Sequence, residues 1–586
     1  MGPTEPGRDD VLVDDGDDVV LFRPSYAQER MWYFYRLDPG NPFYTVPLGL
    51  RLTGELDVAA LRGALNDIAD RHEILRTTFG TVESELVQVV ASRADVELPV
   101  VEVPPAADPE LPVEEREEVR RLLVERVRPP FDLERGPLLR ATLFRLGPAD
   151  HLLLFVLHHI IHDGWSLGVL GGELSAAYRA RVTGTPGPLP PLEVQYGDFA
   201  EWQRDWLSGE VLESQLAYWR GRLGGELPVL GLPLDRPRPE VQSFRGGRVE
   251  LALSPALSDA VKDLGRRCGA TPFMVLLASF LVLLHRYSRQ DDIVVGSPVA
   301  NRHQAKVEPL IGLFVNTLVF RADLSGDPSF GAFLDRVRDV CVEVYAHQET
   351  PFEKLVEDLH PHRDPSRNPL FQVMFAMQAP PNTDIPLPGL RVAPIRVDRW
   401  WTRFDLELHF WEHPDHFRGL FVFAADLFDT TTVERMSAHL RQVLEVATRD
   451  ADLPLGELLP EADLPAPAEP AAPEPPRAVA ADLPGGEPRT ELEELVAARW
   501  REALDVGLVD VHTNFFDVGG TSLLLARVHE GLQRDLAREL RMVDLLRFPT
   551  VRSFAAFLSG EQESRTAGQD RARARTQAMK QRRRRR

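Results

Sequence analysis

His158-His159-Ile160-Ile161-His162-Asp163-Gly164 is the stretch on which the reading of this 586-residue chain turns. It follows His151 to Leu157, an apolar run that reads as a buried strand ending abruptly in polar groups. Paired histidines followed by Asp-Gly at this spacing arise by chance in about one chain of this length in a thousand. Neighbouring residues on extended backbone face opposite ways, so His158 and His159 are expected to divide into one structural and one reactive ring. Asp163, if buried, needs a cation or several donors. Gly164 allows a close backbone approach or a positive φ. His158 and His162, four apart, match a helical zinc-ligand pair, but the preceding strand and the missing glutamate at 159 count against a metal. A bland surface loop is the other alternative. The residues favour a reactive imidazole beside a charge-paired Asp.

Outward from this motif, helical and strand signals alternate, which is a mixed α/β pattern. Val58 to Arg71 and Trp165 to Arg181 have helical apolar spacing. Thr271-Pro272 reads as an N-cap and first-turn proline opening a helix through Arg286, followed by a strand at Asp292 to Val295. The clearest boundary is Leu464 to Pro488, with eight prolines and almost no large apolar residue. As a polyproline II spacer it extends roughly 75 Å at about 3.1 Å per residue, enough for a mobile tether. Beyond it, Glu491 to Leu504, Ser522 to Arg534 and Val551 to Leu558 read as helices of a small bundle.

Composition bounds the function. Hydrophobic residues are 44% and charged residues 27%, an ordinary globular balance. The net charge of −22 disfavours nucleic acid as a partner. The longest uncharged apolar stretch, Pro272 to Leu284, is too short to span a bilayer, and the acidic N-terminus is unlike a secretory signal, so no membrane association and a cytoplasmic location are expected. Cys268 and Cys341 alone can build neither a disulfide framework nor a cysteine-based zinc site. Seven acids in residues 1–20 and ten bases in residues 561–586 read as solvated tails, with electrostatic docking as the sharper alternative.

At this point the residues up to about 460 resemble the condensation domains of nonribosomal peptide synthetases. Ser25-Tyr26-Ala27-Gln28-Glu29-Arg30-Met31-Trp32 matches the opening family motif, Arg71-His72-Glu73-Ile74-Leu75-Arg76-Thr77 the second, and the histidine motif the third. Tyr196-Gly197-Asp198-Phe199-Ala200, Ile311-Gly312-Leu313-Phe314-Val315-Asn316-Thr317, His347 to Glu353 and Arg363 to Leu370 continue the series in order. The opening motif is most similar to the subtype joining two L-configured residues. The resemblance implies two chloramphenicol-acetyltransferase-like halves forming a V around a tunnel, expected at 20–190 and 191–460. It implies His159 as the tunnel-facing catalytic histidine, with His158, Asp163 and Gly164 architectural and His162 variable. It also implies an arginine partner for Asp163, for which Arg302 in Gly296-Ser297-Pro298-Val299-Ala300-Asn301-Arg302 is the candidate. The paired Trp400 and Trp401 either shape an acceptor pocket or serve as packing residues.

Asn514-Phe515-Phe516-Asp517-Val518-Gly519-Gly520-Thr521-Ser522-Leu523 precedes a helix. Gly-Gly-x-Ser alone is a weak signal, and its bland reading is a serine N-cap after a glycine turn. No histidine neighbours it in sequence to activate a hydrolase serine. With its Phe-Phe-Asp lead-in, the segment 489–560 resembles a four-helix peptidyl carrier domain, and the resemblance makes Ser522 the attachment point for 4′-phosphopantetheine. The expected order is therefore an acidic segment at 1–19, the two condensation halves, a linker at 461–488, the carrier, and a basic tail at 561–586.

The function implied is amide formation between a donor acyl or peptidyl thioester and an acceptor amine. No adenylation domain fits between 460 and 489, and no thioesterase follows 560. The implied partners are thus an upstream donor carrier, an adenylation enzyme acting in trans and a phosphopantetheinyl transferase. An ester-forming variant and a non-catalytic recruitment platform are the alternatives.

Overall fold

The computed structural model describes residues 19–464 apart from 38–39, 41–43, 84, 94, 105–107, 109–110, 186–188, 240–241, 360–365, 379–384 and 398–400. Beyond these it describes 486, 488–504, 506–513, 515, 522–536, 538, 540, 544–545, 548 and 550–559. The acidic and basic termini, most of the Pro-rich linker, Trp400 and the segment 516–521 lie outside the described residues, as do residues 363–365 of the Arg363–Leu370 motif. Two compact units are distinguished, Met1–Met31 with Asn41–Pro470 and Trp32–Gly40 with Ala471–Arg586.

Up to residue 190 the elements are β1 (Val19–Phe22), α1 (Tyr26–Leu37), β2 (Thr45–Gly54), α2 (Val58–Arg71), β3 (Thr77–Val82), β4 (Glu85–Ala91), β5 (Val100–Glu102), α3 (Glu117–Val127), β6 (Leu139–Gly147), β7 (Asp150–His158) and α4 (Gly164–Thr183). There follow α5 (Tyr196–Trp206), α6 (Gly209–Leu223), β8 (Gly246–Ala252), α7 (Pro255–Arg267), α8 (Pro272–Ser288), β9 (Asp292–Val299), β10 (Asn316–Asp323), α9 (Phe330–Ala346) and α10 (Phe352–Leu359). The last are β11 (Val373–Gln378), β12 (Leu390–Ile395), β13 (Leu406–Glu412), β14 (Phe417–Ala424), α11 (Thr430–Arg449) and α12 (Leu455–Leu458).

The strands make three sheets, ordered β1-β4-β3, β12-β2-β7-β6-β5 and β10-β9-β11-β13-β14-β8. In the second of these β7 lies between β2 and β6, antiparallel to both, and every residue from His151 to His158 is buried. A strand covered on both faces reads as a continuous apolar run, which is why its sequence lacks alternation. The six-stranded sheet is mixed, with β11 parallel to β9 and β13, and α8 supplies much of its core. Thr271 caps α8 by accepting from the Met274 amide, and Pro272 stands in the first turn where its missing N–H costs nothing.

The halves interlock across the division expected at 190. β12, from the later half, pairs antiparallel with β2 at the edge of the earlier half's sheet. In α5, Tyr196 donates to the Leu313 carbonyl at 2.7 Å and lies 2.9 Å from Ser25 Oγ. Gly312 is required where it stands, because a Cβ there would meet the Tyr196 ring at 2.1 Å. Among the described residues no single helix is long and apolar enough to cross a membrane; α7 and α8 pass that test only together, bent by 103°.

The second unit contains helices at Glu491–Leu504, Ser522–Leu536 and Val551–Leu558. Their shared core includes Val496, Trp500, Phe515, Leu525, Val528, Leu532, Val551 and Phe554. Trp500 and Phe515 meet edge to face at 4.8 Å between centroids. Glu493 accepts from the Arg489 amide and from Arg552 Nε at 3.0 Å, joining the first helix to the last.

Candidate active site and carrier serine

β7 delivers the histidine motif, and the backbone changes conformation inside it. The strand ends at His158, and His159–Ile161 form one turn of 3-10 helix before α4 begins at Gly164. The alternation expected of extended backbone therefore stops one residue before His159. The two rings are separated by this turn instead. His158 stays in the core, where its Nδ1 accepts from the Ile160 amide at 3.1 Å and caps the turn. Its ring meets Phe131 edge-on at 5.7 Å. Burial, reinforced by the neighbouring His162, pushes its pKa down to about 3, so the ring is neutral at physiological pH.

His159 is half-buried. Its ring stacks on His162, with centroids 5.2 Å apart and planes 29° apart, and meets Tyr44 edge to face at 6.5 Å. His162 is buried, and its Nδ1 bonds to the His158 carbonyl at 3.0 Å. The turn itself is gripped by the opening motif: Gln28, fully buried, donates from Nε2 to the Ile160 carbonyl at 3.3 Å and to Gln88 at 3.2 Å.

Asp163 caps α4, accepting from the Ser166 amide at 2.9 Å. Its Oδ1 lies 3.1 Å from Arg302 Nη2, with both side chains buried, and its Oδ2 accepts from the Phe314 amide at 3.1 Å. Arg302 spends Nη1 on the Val307 and Leu310 carbonyls, each at 2.7 Å, and lies over the Phe314 ring at 4.0 Å. Ser166 Oγ lies 2.7 Å from Asp163 Oδ1 and 2.9 Å from the Gly312 carbonyl, and accepts from the Gly312 amide at 3.1 Å. A second bridge between the halves uses the other early motif. His72 Nε2 lies 2.8 Å from Glu173, its Nδ1 accepts from the Ile311 amide at 3.3 Å, and Arg71 holds the other Glu173 oxygen at 2.9 Å.

Sequence reasoning missed Tyr44, Gln28 and Ser166 as neighbours of the motif. Only Ser166 carried a local signal, standing three residues after Asp163 as a capping-box partner. Gly164 opens α4 with open space where a Cβ would project. Trp401 forms a bridge with Arg245 and is half-buried. Among the described residues no cluster of His, Cys, Asp and Glu is arranged to hold a metal ion.

A family model for the condensation domain matches residues 23–463, and one for the phosphopantetheine attachment site matches residues 494–558. The chain belongs to the condensation domain family. Malpinin synthetase of Mortierella alpina is 41% identical over 431 residues, 74% of this chain and 6% of that protein. Phosphinothricin tripeptide synthetase PhsC of Streptomyces viridochromogenes is 39% identical over 460 residues, 77% of this chain and 41% of that protein. The chain thus spans less than half the length of either relative. Among solved structures, the complex of the X-domain and OxyB from teicoplanin biosynthesis matches with a TM-score of 0.67 at 30% identity, covering 78% of this chain and 99% of that one. A four-domain nonribosomal peptide synthetase, holo-AB3403, shares the fold over 90% of this chain and 39% of its own, with a TM-score of 0.68 at 21% identity.

The attachment-site match at 494–558 spans Ser522. Ser522 is the first residue of the Ser522–Leu536 helix. That position suits a phosphodiester, because the dipole at a helix N-terminus favours an anion. The attachment domain is the family site of covalent 4′-phosphopantetheine.

Proposed function

We propose that this chain is an amide-forming component of nonribosomal peptide biosynthesis, of the subtype joining two L-configured residues. The amine of an acceptor attacks the carbonyl of a donor acyl thioester; the C–N bond forms, the C–S bond breaks, and the donor thiol leaves. His159 is the residue assigned to the amine, with His158, Asp163, Gly164 and Arg302 building its frame. The observation that carries the reading is the half-buried His159 ring just after a strand buried from His151 to His158, beside a neutral, buried His158.

An α-amino group in water has a pKa near 7.7–8 and a free imidazole near 6.5, so proton transfer between groups of these two kinds is only slightly uphill. General-base catalysis contributes about 10²–10⁴-fold. Holding amine and carbonyl together contributes as much again or more, and His159 serves that role through the same hydrogen bond.

Ser522 is the residue that would hold 4′-phosphopantetheine, whose thiol carries an acyl group as a thioester. A phosphopantetheinyl transferase supplies the arm and an adenylation enzyme acting in trans the acyl group; residues 461–488 are too few for an activating domain between condensation and carrier, which fits that reading. The donor arrives on another carrier. The test combines donor and acceptor thioesters with the parent chain and His159→Ala and follows the product by mass spectrometry. An amide product reduced about 100-fold or more in the folded variant is expected. Near-parental turnover in His159→Ala overturns the assignment.

A further inference from the structure

The His159 ring is faced by other rings. One face stacks on His162 at 5.2 Å, and Tyr44 stands edge-on at 6.5 Å, both within the range over which aromatic pairs attract. Each neighbour is itself tied down. His162 is buried and bonded through Nδ1 to the His158 carbonyl. Tyr44 is buried, its ring also lies against His158 at 6.0 Å, and its hydroxyl shares a hydrogen bond with Arg30. Arg30 in turn pairs with Glu353 at 3.0 Å and lies over the Phe352 ring at 5.3 Å. Tyr44 is thus fixed from the later half of the domain, 309 positions further along the chain at Glu353.

We infer that Tyr44 and His162 are positioning residues that clamp the His159 imidazole between two rings, with Arg30 and Glu353 anchoring Tyr44. A half-buried imidazole exchanges rotamers at little cost where its neighbours leave it room. Two pinned neighbours remove that freedom, and the geometry of attack tolerates little of it. The clamp acts through ring contact and not through a charge. Its removal should therefore lower kcat and leave the donor KM in place, and a replacement that keeps a ring should restore function. The inference rests on the reading of His159 as the residue assigned to the amine, so its test includes a measurement on the ring that needs no catalysis.

The full chain and four variants, Tyr44→Leu, Tyr44→Phe, His162→Ala and His162→Phe, are treated with diethyl pyrocarbonate, and carbethoxylation of His159 is followed by peptide mass mapping. Condensation is measured in parallel with aminoacyl-N-acetylcysteamine thioesters as donors. Tyr44→Leu and His162→Ala should raise the His159 carbethoxylation rate at least threefold and lower kcat about tenfold, with the donor KM within twofold. The two phenylalanine variants should lie within threefold of the parent in kcat. Should the ring-removing variants fail to melt as folded protein, Arg30→Met, which leaves both rings in place and frees the Tyr44 hydroxyl, must raise His159 carbethoxylation at least twofold. Unchanged carbethoxylation and kcat in folded Tyr44→Leu and His162→Ala, or an unchanged rate in Arg30→Met where those do not fold, overturns the clamp. Failure of the functional reading looks different: His159→Ala would keep its turnover, whatever the clamp variants do to the reactivity of the ring.

Discussion

The two ends of one seven-residue motif are built on opposite principles. At the Asp163 end the contacts are hydrogen bonds and an ion pair, buried and shared between the halves: Arg302, Ser166 and the Phe314 amide all converge on one carboxylate. At the His159 end two aromatic rings face the imidazole, which is half-buried. A carboxylate satisfied on both oxygens has no reason to move and nothing left to offer a substrate. Ring contact, by contrast, holds an imidazole through its faces and edge and makes no demand on its nitrogens. The difference separates a residue fixed by polar bonds shared between the halves from one held by ring contact.

The largest effect is expected at the junction. Arg302→Met should destabilise the condensation unit by about 3–5 kcal/mol, because it leaves the Asp163 charge buried without its cation. Asp163→Asn in the same background should recover part of that loss, since the stranded charge is then gone. Urea denaturation of the single and double variants checks this. Additive losses would mean the two side chains are not coupled, and the contrast between the ends of the motif would fail.

That junction is also where sequence reading reached furthest. The resemblance of two motifs to the family pattern pointed to Arg302 as the partner of Asp163, and helix α2 runs from Val58 to Arg71, the same span its apolar periodicity gives. Local rules did well where the determinant was local, as with Thr271-Pro272 opening α8. They stopped short where the determinant was a partner strand. β9 continues through Gly296-Ser297-Pro298, residues that end strands in isolation, because β10 pairs with it along that whole stretch. β12 carried no clear signal: it is a half-exposed edge strand whose place depends on β2, more than 300 residues earlier. Tyr44 carried no signal for the same reason, and for Gln28 and Glu353 the quoted motifs did not disclose their contacts: Gln28 meets the turn only in the tertiary fold, and Glu353 reaches it only through Arg30 and Tyr44. The alternation argument for His158 and His159 assumed a strand that the 3-10 turn interrupts.

Lowering the pH should act on His158 next. The unfolded ring titrates near 6.5 and the folded one near 3, so below pH 6.5 the unfolded state binds a proton that the native state refuses. Stability contributed by the neutral ring is complete above about pH 6.5 and falls as the pH drops toward 3. The loss amounts to about 2 kcal/mol by pH 5. His158→Asn, which keeps an acceptor near the Ile160 amide but does not titrate, should flatten this part of the stability profile measured by urea midpoint between pH 5 and 7. A profile of unchanged slope would mean that His158 accepts its proton without cost and is not the buried structural ring.

The smallest effect tests whether the two ends are independent. Ser166 Oγ touches the Asp163 carboxylate and amide, Arg302 and both backbone polar groups of Gly312, and none of these five contacts is with His159. Replacing it with alanine keeps the Asp163–Arg302 pair and the α4 amide cap while removing one hydroxyl, a change of about 1–2 kcal/mol for a buried group whose partners lose a bond. If the junction only holds the halves, Ser166→Ala should lower the urea midpoint by that amount and leave His159 carbethoxylation within twofold of the parent. If the reactivity of His159 instead changes as much as in Tyr44→Leu, the hydrogen-bonded end is setting the ring as well. The His159 clamp would then be part of a single network with Asp163, and the division between a holding end and a working end would have to be abandoned.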